Sequence, residues 1–190
     1  TGLITDKSNN TTYSETLPGH VTVVTIPDLH NNTSANTLRP YTSVGLLTEI
    51  QQYLEKLNSK FVRLHVINPQ FEEVQFEFTV NFMPNHDATV YSNQLSMDIE
   101  QFLTPWAFDN NSDIEFGGTI EKSVVLNFIE ERDYVDYITC FKMNHIIRRD
   151  GTTILEMLPD IETAVASTAR SILVSYNDGV TRHIITSPAN

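Results

Sequence analysis

"VQFEFTVNF" (residues 74–82) sets Val74, Phe76, Phe78, Val80 and Phe82 on one side of an extended chain and Gln75, Glu77, Thr79 and Asn81 on the other. Alternation at a period of two is the pattern of a strand with one wet face and one covered face. Helices packed on the apolar side are the simplest cover. Just upstream, "FVRLHVINP" alternates Val62, Leu64 and Val66 and stops at the turn signal Asn68-Pro69. "VTVVTI" (residues 21–26) is a β-branched run closed by Pro27, and "YVDYITCF" (residues 134–141) reads as a returning strand.

Between these runs the apolar spacing changes to three and four. Thr42 or Ser43 can cap a helix that carries Leu47, Ile50, Leu54 and Leu57. A second helix opens after Asp87 or Thr89, faces Tyr91, Leu95, Ile99 and Phe102 inward, and is ended by Pro105. Thr119 can cap a third, with Ile120, Val124, Phe128 and Ile129 on one stripe. The order strand, helix, strand, strand, helix, helix, strand predicts an α+β fold: a split β-α-β arrangement, ferredoxin-like in outline, with a mainly antiparallel sheet and helices on one face. Beyond it, "DIETAVASTARS" reads as a short helix. "SILVSYNDGVTRHIIT" reads as a β-hairpin about Asn177-Asp178-Gly179, paired with this sheet or another chain's. The expected organisation is a polar arm or the edge of a preceding module at 1–20, an α+β domain at 21–145, and a C-terminal helix-and-hairpin extension at 146–190.

Composition narrows the function. Twelve Lys and Arg against 24 Asp and Glu give a net charge of −12, which repels phosphate backbones and anionic lipid. Nucleic acid is not an expected partner, and no apolar run has the roughly 20 residues that span a bilayer. Cys140, the single cysteine, lies in an apolar run and is expected to be a buried, inert thiol. The first residue is Thr1 rather than Met, which suggests a piece of a longer polypeptide.

Taken in order, "PDLHNNTSANTLRP", "FVRLHVINPQFEEVQFEFTVNF", "IEQFLTPW", "IEFGGTIEKSVVLNFIEERDYVDYITCF" and "SILVS" resemble the baseplate J-like wedge proteins of contractile phage tails and contractile injection systems. The most specific pieces are Asn68-Pro69 opening a long strand, Leu103-Thr104-Pro105-Trp106 closing a helix, Phe116-Gly117-Gly118 before the next, and Tyr134-Val135-Asp136-Tyr137 starting the last strand. The resemblance implies a structural subunit, with no catalytic residue, cofactor or metal. Its implied partners are other baseplate wedge and hub proteins in a hetero-oligomeric, sixfold assembly, built in the cytoplasm as part of a phage tail or tail-like particle. Family members are usually much longer, so this chain resembles a C-terminal portion.

One loop invites a chemical reading. "FLTPWAFDNNSDIEFGG" (residues 102–118) gathers Asp109, Asp113 and Glu115 beside the only Trp and a Gly pair. Carboxylate oxygens suit a hard cation and metal-assisted hydrolysis. The spacing, however, does not fit the D-x-[DN]-x-[DN]-G frame, and "FGGT" matches no phosphate-binding loop. The alternative is a structural corner made by Pro105, Trp106, Gly117, Gly118 and Thr119. Trp106 and Phe108 can be core caps or interface anchors. Glu130 and Glu131, with Arg132 and Asp133, form a charged face able to meet a basic neighbour, while Arg148 and Arg149 lie in the one locally basic segment. The six histidines show no metal-binding pairing, and no Ser-His-Asp set is locally marked.

Overall fold

The computed structural model describes residues 2–5, 11–14, 18–28, 36–109, 112–149 and 153–188. The chain divides into two compact units, Thr1–Gln70 with Thr168–Arg170, and Phe71–Ser167 with Ser171–Asn190. The class is α+β, as expected, and most strand pairs are antiparallel.

In the first unit, part of the expected polar arm forms an antiparallel pair, β1 (Gly2–Thr5) with β2 (Thr11–Ser14). Strand β3 (His20–Val24) runs parallel to β4 (Arg63–Ile67), and helix α1 (Val44–Glu55) is the crossover that a parallel pair requires. The helix begins where capping predicts. The Ser43 hydroxyl accepts from Leu46 N, satisfying one of the first-turn amides. Asn68 then closes the motif, its side-chain oxygen accepting from Thr42 N at 2.8 Å and its amide donating to Thr42 O at 3.0 Å. That side chain copies one rung of a strand ladder. No residue of α1 is fully buried, and Leu57, expected on its inner face, lies past the helix end and is 72% exposed.

Among the described residues β3 and β4 form a two-stranded sheet of their own. Pro69 has no N–H to donate to a ladder, and Asn68-Pro69 is the two-residue link between β4 and the next strand.

The second unit is built on β5 (Gln70–Phe82) and β7 (Val135–Arg149), two long antiparallel strands. Val74, Phe76, Phe78, Val80 and Phe82 are all buried, as their alternation requires. They pack in one cluster with Leu95, Ile99 and Leu103 of α2 (Ala88–Leu103) and with Val125 and Ile129 of α3 (Lys122–Glu130). Asp87 caps α2, accepting from Thr89 N and Val90 N. Strand β8 (Thr153–Leu158) extends the sheet beyond β7.

Several expectations are corrected in this unit. Thr119 does not cap the third helix: residues Thr119–Glu121 form β6, which pairs with β9 (Thr163–Val165), and the helix starts at Lys122. The later start rotates the buried stripe to Val125 and Ile129 and leaves Val124 exposed. "DIETAVASTARS" is likewise not helical. Ile161 N donates to Met143 O and Ala166 N to Gly118 O, so backbone pairing on both sides overrides a weak helical preference.

The strands flanking the Asn177-Asp178-Gly179 turn are present as β10 (Ser171–Ser175) and β11 (Ile184–Thr186). They pair with this sheet rather than with each other. Tyr176 N donates to Val74 O, and Ile184 aligns with Glu77 in parallel register, so both strands run along one edge of β5. The expected boundary at 145/146 falls inside β7.

Cys140 is exposed rather than buried. The β5–β7 register jumps from Glu77↔Lys142 to Thr79↔Thr139, leaving Cys140 and Phe141 opposite Phe78 as a β-bulge with Cys140 at φ 54°. The extra residue switches the parity of β7. Ile138 opposite Val80 and Met143 opposite Phe76 therefore both reach the apolar face, and the thiol turns outward.

Candidate functional site

Helix α2 ends at Leu103, and Pro105–Ala107 continues as one turn of 3-10 helix. Thr104 Oγ1 donates to Glu100 O at 2.5 Å, and Phe108 N and Asp109 N both donate to Pro105 O at 3.0 and 2.8 Å. Trp106 is 8% exposed, and its indole N–H finds no acceptor among the described residues. Gly117 takes φ 65° and donates its N–H to Ser171 O at 2.9 Å, while Gly118 lies outside the left-handed region. Of the glycine pair, only Gly117 uses a backbone conformation that disfavours a side chain.

The three loop acids are not brought together as a metal site. Asp109, Asp113 and Glu115 are exposed. No group of three or more His, Cys, Asp or Glu among the described residues is placed to hold a metal ion.

Asp109 instead lines an open cleft of about 390 Å³ beside α2 and α3. From α2 and its exit come Asp98, Gln101, Phe102 and Pro105, and Ser112 closes the loop side. Phe128 and Arg132 contribute the opposite wall. The Phe102 and Phe128 rings stack at 4.1 Å between centroids, and the Arg132 guanidinium sits 4.3 Å from the Phe128 centroid while its Nε donates to Phe128 O at 3.2 Å. Asp98 accepts from Tyr134 Oη at 2.5 Å and from Gln94 Nε2 at 2.6 Å. Burial, together with the Asp98 carboxylate, pushes the Tyr134 phenol well above its ordinary range. Sequence reasoning noted Phe102, Phe128 and Arg132 one by one and missed the cleft. Its signal was the 98, 101, 102, 105 recurrence on one helix face beside the 128, 132 pair on the other.

Two buried polar clusters were also missed. In the first, His145 Nε2 lies 2.8 Å from Glu72 Oε2, and Ser167 N donates to both oxygens of the same carboxylate, at 3.2 and 3.0 Å. The Ser167 hydroxyl donates to Oε1 as well. Burial by itself raises the Glu72 pKa; hydrogen bonds from His145, Ser167 and Ser171 outweigh it and hold the carboxyl below its ordinary range. The acid stands between Ser and His, so the imidazole does not touch the hydroxyl it would have to deprotonate. Glu72 shares the parity of Val74 and Phe76, and a charge on the apolar side of a strand was the available signal.

In the second cluster His183 is buried against Phe76, at 5.1 Å between ring centroids. Phe76 N donates to Nδ1 at 3.2 Å, so Nε2 carries the proton and donates it to Ser175 Oγ at 3.1 Å. A ring that donates to the serine cannot accept its proton. Burial, with a smaller contribution from the Arg182 charge, pushes His183 down to about 3.

The remaining surface candidates divide. Phe108, Glu130 and Glu131 are exposed. Arg148 turns inward, its Nε donating to the buried Glu73 carboxylate at 2.5 Å with its guanidinium 5.7 Å from the Tyr176 ring. The Arg149 side chain lies outside the described residues. Among the described residues, no helix is long and apolar enough to cross a membrane.

Comparison with known proteins is consistent with these observations. No curated protein sequence matches the chain. A chain of the anti-feeding prophage (AFP) baseplate, solved by cryo-EM with 6-fold symmetrisation, shares the fold with a TM-score of 0.54 at 17% identity. The match covers 82% of this chain and 28% of that one, so the sequence spans less than a third of its structural relative. The family model "Baseplate protein PVC11-like" matches residues 6–165. With that match extending over most of its length, the chain belongs to the PVC11-like baseplate protein family.

Proposed function

We propose that this chain is a structural portion of a baseplate wedge in a contractile tail or injection system, working by protein–protein assembly. The observation that carries the reading is the family match over residues 6–165. The likeness of fold to a chain of a 6-fold symmetrised baseplate supports it. The wedge of the baseplate J-like resemblance, hub and wedge neighbours, sixfold placement and residence in a phage tail or tail-like particle assembled in the cytoplasm are all parts of this proposal.

The chemistry of the fold suits it. In the second buried cluster the His183 ring donates to Ser175 and is not placed to take its proton, and the acids of the 109–115 loop are exposed. What the chain offers a neighbour is its exposed surface. Exposed aromatics such as Phe108, at 49%, and the acidic end of α3 around Glu130 and Glu131 are the contact elements. Mixing the chain with wedge and hub proteins of a contractile baseplate, followed by negative-stain microscopy, tests the reading. Incorporation into ringed particles is the expected result; a chain that stays monomeric while its neighbours assemble overturns it.

A further inference from the structure

We infer that the cleft beside α2 and α3 is a socket for an arginine side chain of a neighbouring subunit. The inference rests on the assembly reading only for the source of that side chain; the chemistry is local to the cleft.

Three features of the cleft converge on a guanidinium. The first is an aromatic platform. Phe102 and Phe128 stack at 4.1 Å, and Arg132 covers Phe128 at 4.3 Å. Both groups approach the Phe128 centroid too closely to share one face, so Arg132 closes one end of the stack. Phe102 forms the other end, lines the cleft and is 37% exposed. The fold thus already seats one guanidinium on these rings, and aromatic faces attract such cations.

The second is charge. Asp98 and Asp109 line the same cleft, and the two donors that reach the Asp98 carboxylate, Tyr134 and Gln94, are neutral. Arg132, the basic residue of the lining, is turned to its own helix by its bond to Phe128 O. The chain as a whole carries −12, which favours approach of a basic partner.

The third is shape. An open cleft of about 390 Å³ admits a long side chain from outside. Two carboxylates beside a flat ring suit a planar group that donates hydrogen bonds from its edge and stacks by its face. An ammonium fulfils only the first requirement, so arginine is preferred over lysine.

The test is an amide-resolved NMR titration of the ¹⁵N-labelled chain with the blocked peptide acetyl-Gly-Arg-Gly-amide, with the lysine and citrulline peptides as controls. Saturable shifts centred on Asp98, Gln101, Phe102 and Ser112 are expected for the arginine peptide. The uncharged citrulline peptide should bind about tenfold more weakly or not at all, the loss expected from removing one charge-assisted hydrogen bond. Asp109→Asn and Phe102→Leu, each checked for an unchanged thermal midpoint, should weaken binding separately. Diffuse shifts, equal response to citrulline, or binding unaffected by both substitutions would overturn the inference. Because peptide binding is read without any assembly, a chain that binds the peptide but does not enter particles counts against the assembly reading alone.

Discussion

His145 and Glu72 form a hydrogen-bonded pair inside the second unit, Nε2 to Oε2 at 2.8 Å, with side chains 2% and 0% exposed. Removing one member leaves the other buried without its partner. Glu72→Ala should therefore cost about 3 kcal/mol at neutral pH, read from urea midpoints. The pH dependence follows from the lowered Glu72 pKa. The folded state holds this carboxyl below its ordinary 4.5, so its contribution is complete above that value and disappears as pH falls through the lower folded value. The gap between wild type and Glu72→Ala should narrow below pH 4.5; a gap that stays constant to pH 3 would rule the pair out as the cause.

His183 should begin the acid destabilisation earlier. Its folded pKa of about 3 lies below the ordinary 6.5, so the native state resists a proton that the unfolded chain accepts. Stability is fully present above 6.5 and declines as pH drops below it, at up to about 1.4 kcal/mol per pH unit for one group. Denaturant titrations between pH 6.5 and 4.5 should show this slope in the wild type. The slope should be largely lost in His183→Gln, which keeps an acceptor for Phe76 N. An unchanged slope in that variant would assign the effect to another group.

How much of this was legible in the sequence depends on where backbone pairing intervened. The core strand β5, the capped starts of α1 and α2, and the stop at Pro105 follow from local signals, because each rests on a periodicity or a side chain within a few residues. The start of α3 and the nature of residues 160–171 do not. Both are decided by the pairing of Thr119 with Val165 and of Ile161 with Met143, contacts between segments far apart in the chain. The two glycines are alike in sequence, and only the backbone separates Gly117, at positive φ, from Gly118. The α2–α3 cleft needed two helices placed side by side before its residues met.

Cys140 illustrates a parity slip with a measurable consequence. An exposed non-glycine residue at φ 54° in a bulge carries backbone strain that glycine relieves. Cys140→Gly should keep or raise the thermal midpoint, and Cys140→Val should lower it by about 1 kcal/mol equivalent. In the native wild type the thiol should react stoichiometrically with a maleimide. A thiol that reacts only on unfolding would contradict the outward turn.

The glycine pair can be separated in the same way. Gly117 sits at φ 65°, where a β-carbon meets its own backbone, so Gly117→Ala should cost about 1 to 2 kcal/mol. A β-carbon added at Gly118 would meet the Glu115 side chain at 3.5 Å, an ordinary contact with a flexible, exposed group. Gly118→Ala should therefore change stability by less than about 0.5 kcal/mol. Because Gly117 N donates to Ser171 O, at the first residue of β10, the cost at 117 should be accompanied by faster amide exchange in β10. Equal costs at the two positions would move the corner's requirement from backbone conformation to packing.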